Sequence, residues 1–323
     1  AFYLLFTPER RVALSTPYRS PQAVRRCMRS LRRSPSEPLW IAVYGDSLAR
    51  GIFFDTVSLF NGSAAASEIH PGHYANYSRD CTLMEKRPPL RRLKCGGFAF
   101  DADVTSYSGD VRAVQLADAN DGSPPEMAPN GFTRLNFRLK TFTWEPEFDE
   151  PWLEALHNGQ HRPDVLLLSA GVWDMQYPPE NNVALGLEAF VTALRRFLDA
   201  LLEALGPRGD SRIYWLTVTA VSDAKLPAWK RPRMSATLAR KYNAAALPEL
   251  RRAGVTVIDT FTSGAAHPEL SADGVHAPGP LSQHHSQLMW DALCSQVDQR
   301  LADQRDRVAW RLHHGHRRSG ELQ

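Results

Sequence analysis

The chain has 323 residues, 43% hydrophobic content and a net charge of +3 from 38 basic and 35 acidic residues. This length is enough for one large domain or two small ones with a substantial core. The charge is too small to indicate a nucleic-acid partner, and no stretch reaches the roughly 20 apolar residues of a membrane span.

The first 40 residues are strongly basic, with eight arginines and two acidic residues. A segment such as RRCMRSLRRS is usually solvated and mobile, so we predict a basic N-terminal arm over residues 1–38 without a binding role. The opening AFYLLF would fit the remainder of a trimmed signal peptide or membrane anchor. Such an anchor is the one route by which we expect membrane association.

Beyond the arm, short apolar runs alternate with stretches of helical periodicity. The apolar runs predict buried strands at residues 39–44, 165–171, 212–221 and 255–261. The helical patterns cover residues 48–60, 183–205, 234–252 and 281–312. This alternation is typical of a parallel sheet with helices on both faces, in which functional groups gather at the carboxyl ends of the strands.

The region between residues 61 and 144 has a different composition, rich in Gly, Pro, Asn and Ser. FAFDADVTSY at 98–107 indicates a short strand. FTRLNFRLKTFTW at 132–144 alternates apolar and polar residues, as a half-exposed hairpin or edge pair does. We therefore predict one domain over residues 39–312 with a loop-rich insert at 61–144 that carries a hairpin, followed by a disordered tail at 313–323.

Two features favour a secretory protein. Asn61-Gly62-Ser63 and Asn76-Tyr77-Ser78 are glycosylation sequons, so Asn61 and Asn76 are candidate acceptors. The four cysteines allow three pairings. A Cys81–Cys95 bridge is the easiest to defend, because it closes a short loop worth about 3 kcal/mol of chain entropy. Four reduced thiols in a cytosolic protein are the competing interpretation.

The stretch WIAVYGDSLARGIFF places Gly45-Asp46-Ser47 where the first strand becomes the first helix. Ser47 thus lies at a strand end and at a helix N-terminus, whose free N–H groups favour developing negative charge. A helix cap formed by Asp46 or Ser47 is the alternative interpretation.

A serine nucleophile needs a base, and the base needs an orienting group. The stretch SADGVHAPG supplies Asp273 and His276 in the loop after the last strand. A carboxylate three residues before a histidine can hold the imidazole tautomer whose Nε2 faces a nucleophile. Because the strands are parallel, this loop opens at the same sheet end as Ser47.

The motifs YGDSLARGIFF, LLLSAGVWDM and ADGVHAPGPLSQHHSQLMWDALC resemble blocks of the SGNH/GDSL hydrolase superfamily, and more narrowly its PC-esterase branch, which includes sialic-acid and plant polysaccharide O-acetyltransferases. The similarity covers roughly residues 39–300. It implies a three-layer α/β/α domain of flavodoxin-like topology, with a mostly parallel five-stranded sheet, and an acyl-serine mechanism that uses Ser47, His276 and Asp273.

The chain also departs from the superfamily pattern. Where the wider superfamily has an Asn that donates to the oxyanion, Gly171-Val172-Trp173-Asp174 carries Trp173, which either donates or packs beside the site. Gly109 is the candidate for a second backbone donor. Arg50 either faces the substrate or braces the turn, and Asp174 either supports His276 or caps the segment before the next helix.

The resemblance implies a serine-dependent O-acyl, and more narrowly O-acetyl, transferase or esterase that acts on a glycan. A lipid or small-ester carboxylesterase and a non-catalytic glycan-binding protein are the alternatives. We expect no metal or cofactor, with an acyl donor such as acetyl-CoA entering as a substrate. We also expect a monomer in the Golgi lumen or outside the cell. Among Trp144, Trp215, Trp229 and Trp290, any one could stack on a sugar, although core packing is the more common use.

Overall fold

The computed structural model describes residues 21–31, 39–61, 81–82, 94–95, 97–103, 111–116, 132–139, 142–158, 162–206, 211–277 and 279–295. Its strands are β1 (Leu39–Gly45), β2 (Cys81–Thr82), β3 (Lys94–Cys95), β4 (Gly97–Asp103), β5 (Val111–Leu116), β6 (Phe132–Leu139), β7 (Val165–Leu168), β8 (Arg212–Leu216) and β9 (Thr256–Ile258). Its helices are α1 (Pro21–Leu31), α2 (Ser47–Asn61), α3 (Pro146–Asn158), α4 (Val172–Gln176), α5 (Val183–Leu205), α6 (Ala236–Arg252), α7 (Phe261–Ala266) and α8 (280–295). The predicted tail at 313–323 lies outside these residues.

Seven strands form the main sheet, in the order β5-β4-β6-β1-β7-β8-β9. The five neighbours from β6 to β9 are parallel. In chain order these five strands lie as 2-1-3-4-5, which is the flavodoxin-like arrangement, so the predicted fold class is confirmed. The strand order reverses at β1 and β7, and open sheets of this type bind ligands in the crevice above that point.

Helices cover both faces of the sheet. The side chains of β1 point alternately to the two faces, and both sets are buried. All seven residues of β1 are buried. Trp40, Ala42 and Tyr44 contribute to the core beneath α3, α5 and α6. The intervening residues of β1, Leu39, Ile41 and Val43, contribute to a second core beneath α1, α2 and α8. Among the described helices, none combines the length and the apolarity that a membrane crossing requires.

The prediction for residues 132–144 was wrong in its pairing. β6 is an internal strand, parallel to β1 on one side and antiparallel to β4 on the other. The antiparallel hairpin pairing lies instead between β4 and β5, so the sheet gains two strands, of which β4 runs opposite to the five parallel ones. Alternating polarity indicates a strand, but it carries no information on whether one edge or both edges are paired.

The prediction of a solvated basic arm was wrong for residues 21–31. This segment forms α1, and one face of the helix is buried in the second core through Val24, Cys27, Met28 and Leu31. Although the segment is rich in arginine, its apolar residues recur at a spacing of three and four, which is the signature of an amphipathic helix.

A disulfide joins Cys27 of α1 to Cys294 of α8, across 267 residues of sequence. The bridge predicted from the sequence was the one between the other two cysteines, Cys81 and Cys95. Cys81 and Cys95 lie directly opposite each other in the ladder between β2 and β3. That register suits a second bridge, and the Cys81–Cys95 bond stays a prediction.

Candidate active site

Ser47 forms one hydrogen-bonded chain with Asp273 and His276, which lie more than 200 residues later in the sequence, above the carboxyl end of the sheet. Ser47 Oγ lies 2.7 Å from His276 Nε2. On the other side of the ring, His276 Nδ1 lies 2.9 Å from Asp273 Oδ2. With the proton on Nδ1, the ring donates to the carboxylate and its Nε2 is left to accept from the serine hydroxyl.

Gly45 allows the sharp turn that presents Ser47. A Cβ at this position would lie 2.8 Å from the Cβ of Ala49 and 2.9 Å from the Cβ of Ser169. Side chains do not approach so closely, so only glycine lets the end of β1 pass between α2 and the end of β7.

Asp46 caps α2. Its Oδ1 accepts the backbone N–H groups of Leu48 at 2.9 Å and Ala49 at 3.4 Å, as an N-cap carboxylate does. The capping interpretation therefore holds for Asp46, while the Ser47 hydroxyl remains with His276. Since the first N–H groups of a helix have no intrahelical acceptor, the Ser47 N–H is a donor at the place where an oxyanion would form.

Arg50 lies one turn after Ser47 and is buried, with 7% of its surface exposed. Burial raises the pKa of Asp46, while hydrogen bonds to its carboxylate and the nearby charges of His276 and Arg50 act in the opposite direction. Arg50 thus partly compensates the buried carboxylate. This position supports the bracing role and argues against a substrate-facing one.

The loop that carries Asp273 and His276 is fixed at Gly274. The glycine has φ +90°, and a Cβ there would lie 2.7 Å from the backbone nitrogen of Leu226. Its carbonyl accepts the N–H of Ser222 at 2.8 Å. The connection after β8 therefore buttresses the loop and sets the position of the imidazole.

Asp273 is held as a carboxylate. Partial burial raises the pKa of Asp273, but hydrogen bonds from the His276 ring and from the backbone N–H groups of His276 and Val275 outweigh it. The net result is a pKa well below the usual range of a carboxyl. Asp273 is therefore ionised at neutral pH and can stabilise a positive charge on the ring.

A small cavity opens beside Ser47. It is lined by Ser47, Leu48, Gly51, Thr219, Val275, His276, Ala277, Ser282 and His285. Four of the nine are glycine, alanine or hydroxyl-bearing residues from outside the hydrogen-bonded chain, which leaves space for a small group next to the nucleophile. The described part of the chain contains no cluster of three or more His, Cys, Asp or Glu residues that could bind a metal ion.

His285 was missed in the sequence analysis. Its Nε2 lies 2.8 Å from the hydroxyl of Ser263, and burial lowers the pKa of His285 to about 3. His285 therefore lines the cavity as a neutral imidazole. The signal in the sequence was the QHHS run in a helix that directly follows the His276 loop.

For two further candidates, the sequence left two roles open. Asp174 accepts from Thr143, at 2.8 Å from the hydroxyl and at 3.2 Å from the backbone N–H, and so it anchors the start of the segment before α3. Of the two roles left open for Asp174, these contacts favour capping of the segment before the helix over support of His276. The Trp173 ring stacks on Tyr177 and meets the edge of Phe142, which supports the packing interpretation over the donor one.

Three candidates cannot be placed. Gly109 and Asn76 lie outside the described residues. Asn61 is the last residue of α2, and the structure describes its backbone only. Their proposed roles therefore stay predictions.

No family model matches the chain. PC-esterase domain-containing protein 1B from Mus musculus is 25% identical over 287 residues, which cover 84% of this chain and 59% of that protein. The Rattus norvegicus protein of the same name is 24% identical over 249 residues, 73% of this chain and 51% of that protein. The chain is thus similar in sequence to PC-esterase domain-containing proteins.

The chain spans about half the length of these PC-esterase relatives. Among solved structures, a peptidoglycan O-acetylesterase aligns with a TM-score of 0.43 and 10% identity, over 88% of this chain and 98% of that one. The resemblance to the PC-esterase branch, drawn from the GDS and DGVH motifs, is confirmed by the sequence relatives.

Proposed function

We propose that the protein is a serine-dependent O-acyl esterase or transferase, with acetyl as the acyl group and a glycan as the substrate. The observation that carries the proposal is the continuous hydrogen-bonded path from Ser47 through His276 to Asp273. The PC-esterase resemblance supports acetyl and glycan as the chemical classes.

In the first half of the reaction, Ser47 Oγ attacks the carbonyl carbon of an acyl ester or thioester while His276 Nε2 takes the hydroxyl proton. Asp273 stabilises the imidazolium. The Ser47 N–H at the start of α2 stabilises the negative charge on the carbonyl oxygen. The tetrahedral intermediate then collapses to an acyl-serine, and His276 returns the proton to the departing alcohol or thiol.

In the second half, His276 takes a proton from the acceptor, whose oxygen attacks the acyl-serine and releases Ser47. Water as the acceptor makes the protein an esterase, and a carbohydrate hydroxyl makes it a transferase. Acetyl-CoA fits the transferase as the donor. The proton transfer between Ser47 and His276 follows the 2.7 Å hydrogen bond that joins Ser47 Oγ to His276 Nε2.

We also propose that the protein works in the secretory pathway, because a disulfide between Cys27 and Cys294 is of the kind that persists in an oxidising compartment. That it works there as a monomer is a separate part of the proposal. Glycans at Asn61 and Asn76 and a Cys81–Cys95 bridge belong to the same proposal. A mass shift on treatment with a glycosidase that removes N-linked glycans tests it directly.

The mechanism is tested with a fluorophosphonate probe and an aryl acetate. Ser47→Ala should abolish labelling, and Ser47→Ala and His276→Ala should each lower turnover by at least about 10³-fold. Ser263→Ala is the matched control, because Ser263 also bonds to a histidine at 2.8 Å but is buried. Labelling that persists in Ser47→Ala would overturn the assignment of the nucleophile.

The acyl group is identified by intact mass after incubation with acetyl donors. An acetyl adduct on Ser47, retained longer in Asp273→Asn, supports the acyl-serine. Turnover of long-chain esters in preference to acetyl esters would favour the lipid esterase. Turnover of no ester at all, with a folded protein, would favour the non-catalytic glycan-binding alternative.

A further inference from the structure

The connection between β8 and α6 carries an exposed tryptophan. Trp229 is 58% exposed, whereas Trp215 and Trp290 are buried. An indole usually contributes to stability by burying its large apolar surface. Trp229 leaves most of that surface in water, where it is accessible to a ligand.

One cation lies close to this ring, and two more follow it in the sequence. The basic loop, which we define as residues 227–233, has the sequence PAWKRPR and contains no acidic residue. Lys230 Nζ lies 5.2 Å from the centre of the Trp229 ring. Arg231 and Arg233 follow within four residues of the tryptophan. The loop that presents the indole therefore carries three cations and no acidic residue.

The basic loop is well anchored. Leu226 before it and Met234 after it are each 1% exposed. Arg231 Nε donates to the carbonyl of Leu226 at 2.9 Å, and the N–H of Lys230 donates to the carbonyl of Pro227 at 2.9 Å. A fixed loop holds its aromatic ring and its cations in a constant arrangement, which lowers the entropy lost on binding.

The same connection touches the loop of the candidate active site. Ser222 donates to the carbonyl of Gly274 at 2.8 Å, and the backbone of Leu226 lies against Gly274. Lys225 Nζ donates to the carbonyl of Ser271 at 2.6 Å. The basic loop therefore begins next to the segment that holds Asp273.

We propose that the basic loop is a subsite for an anionic carbohydrate. The C–H face of a pyranose ring stacks on the Trp229 indole, while Lys230 and Arg233 bind a carboxylate of the same or the next sugar. The inference rests on the proposed function in one respect, because the bound glycan is the one whose acyl group reacts at Ser47.

The test uses hexagalacturonate and its methyl ester, which share the sugar and differ in charge, in calorimetric titrations of the Ser47→Ala protein so that no turnover occurs. We expect the acid to bind at least 10-fold more tightly than the ester at low salt. Added NaCl should reduce that difference, because exposed charges are screened.

Variants assign the binding to the loop. Trp229→Ala should weaken binding of the acid at least 10-fold, and Trp229→Tyr should restore part of the affinity. The double variant Lys230→Gln, Arg233→Gln should remove the preference for the acid over the ester. Lys241→Gln, an exposed lysine of α6, is the control and should leave the dissociation constants within two-fold.

Three results would overturn the proposal: equal affinity for the acid and the ester, unchanged binding in Trp229→Ala, or binding to phosphatidylserine-containing vesicles with none to the hexasaccharide. Failure of the proposed function has a different signature, namely absence of probe labelling at Ser47. Because the titrations use Ser47→Ala, the binding result stands independently of catalysis.

Discussion

Replacing Gly274 by alanine should damage both the stability and the site. An L-residue at φ +90° costs about 1–2 kcal/mol. The added Cβ would also lie 2.7 Å from the nitrogen and 2.8 Å from the Cα of Leu226. These are backbone atoms, so relief requires a backbone shift of the kind that costs about 1–3 kcal/mol. The expected loss in the free energy of unfolding is about 2–5 kcal/mol.

Gly254→Ala is the matched control. Gly254 has φ +69° and nothing within 4 Å of its added Cβ, so it should lose only the conformational part, about 1–2 kcal/mol. Urea denaturation followed by fluorescence gives both values. The difference between the two variants measures the contact with Leu226.

The same change should slow the labelling of Ser47. Relief of the overlap moves the loop, and a displacement of about 1 Å at a reacting group can cost about 10²-fold in rate. Gly254→Ala should be labelled at the wild-type rate. Equal stability losses in the two variants, together with unchanged labelling of Gly274→Ala, would refute the view that Leu226 positions His276.

Two further predictions concern pH and the disulfide. His285 has a pKa of about 3 in the folded protein and about 6.5 in the unfolded chain. Between these two pH values the unfolded state binds one more proton than the folded state, so the free energy of unfolding should fall as the pH drops from 6.5 toward 3. In His285→Gln, the free energy of unfolding measured by urea titration should change less with pH. Parallel pH profiles for the wild type and the variant would contradict this reasoning. The double variant Cys27→Ala, Cys294→Ala should lose about 5 kcal/mol, because the bridge closes a very long loop. An unchanged urea midpoint on reduction would show that the bridge is absent.

The sequence predicted the centre of the fold well, because two independent signals agreed there. The run 39–44 is apolar at every position, as a strand buried on both faces must be, and the change to helical periodicity occurs at Ser47. The helix at 183–205 was predicted to the residue, since Gly206 ends it with φ +68°.

The sequence could not reveal pairings that depend on distant partners. Residues 132–139 carry no sequence signal that they pair with β1. Likewise, the spacing of cysteines favoured a short loop, while the Cys27–Cys294 bond depends on α1 and α8 packing on the same face of the sheet. Both are properties of the assembled sheet rather than of any segment.

The sequence was enough to predict the three hydrogen-bonded residues of the candidate site, but not the residues that surround them. Ser47, Asp273 and His276 were found because residue type and topological position coincided. His285, Leu226 and Trp229 gave no such coincidence, because a histidine in a helix or a tryptophan in a connection most often belongs to the core. Exposure and contact distances were needed to separate these roles.

The bond between Cys27 and Cys294 also has a consequence for the protein during translation. One thiol emerges early, and its partner follows 267 residues later. At translation speeds of about 5–20 residues per second, roughly 13–50 seconds pass before the second thiol is present and an oxidant can join the two in a disulfide. During that interval α1 has no covalent tie to α8, so an oxidant can instead join the Cys27 thiol to a thiol of another molecule.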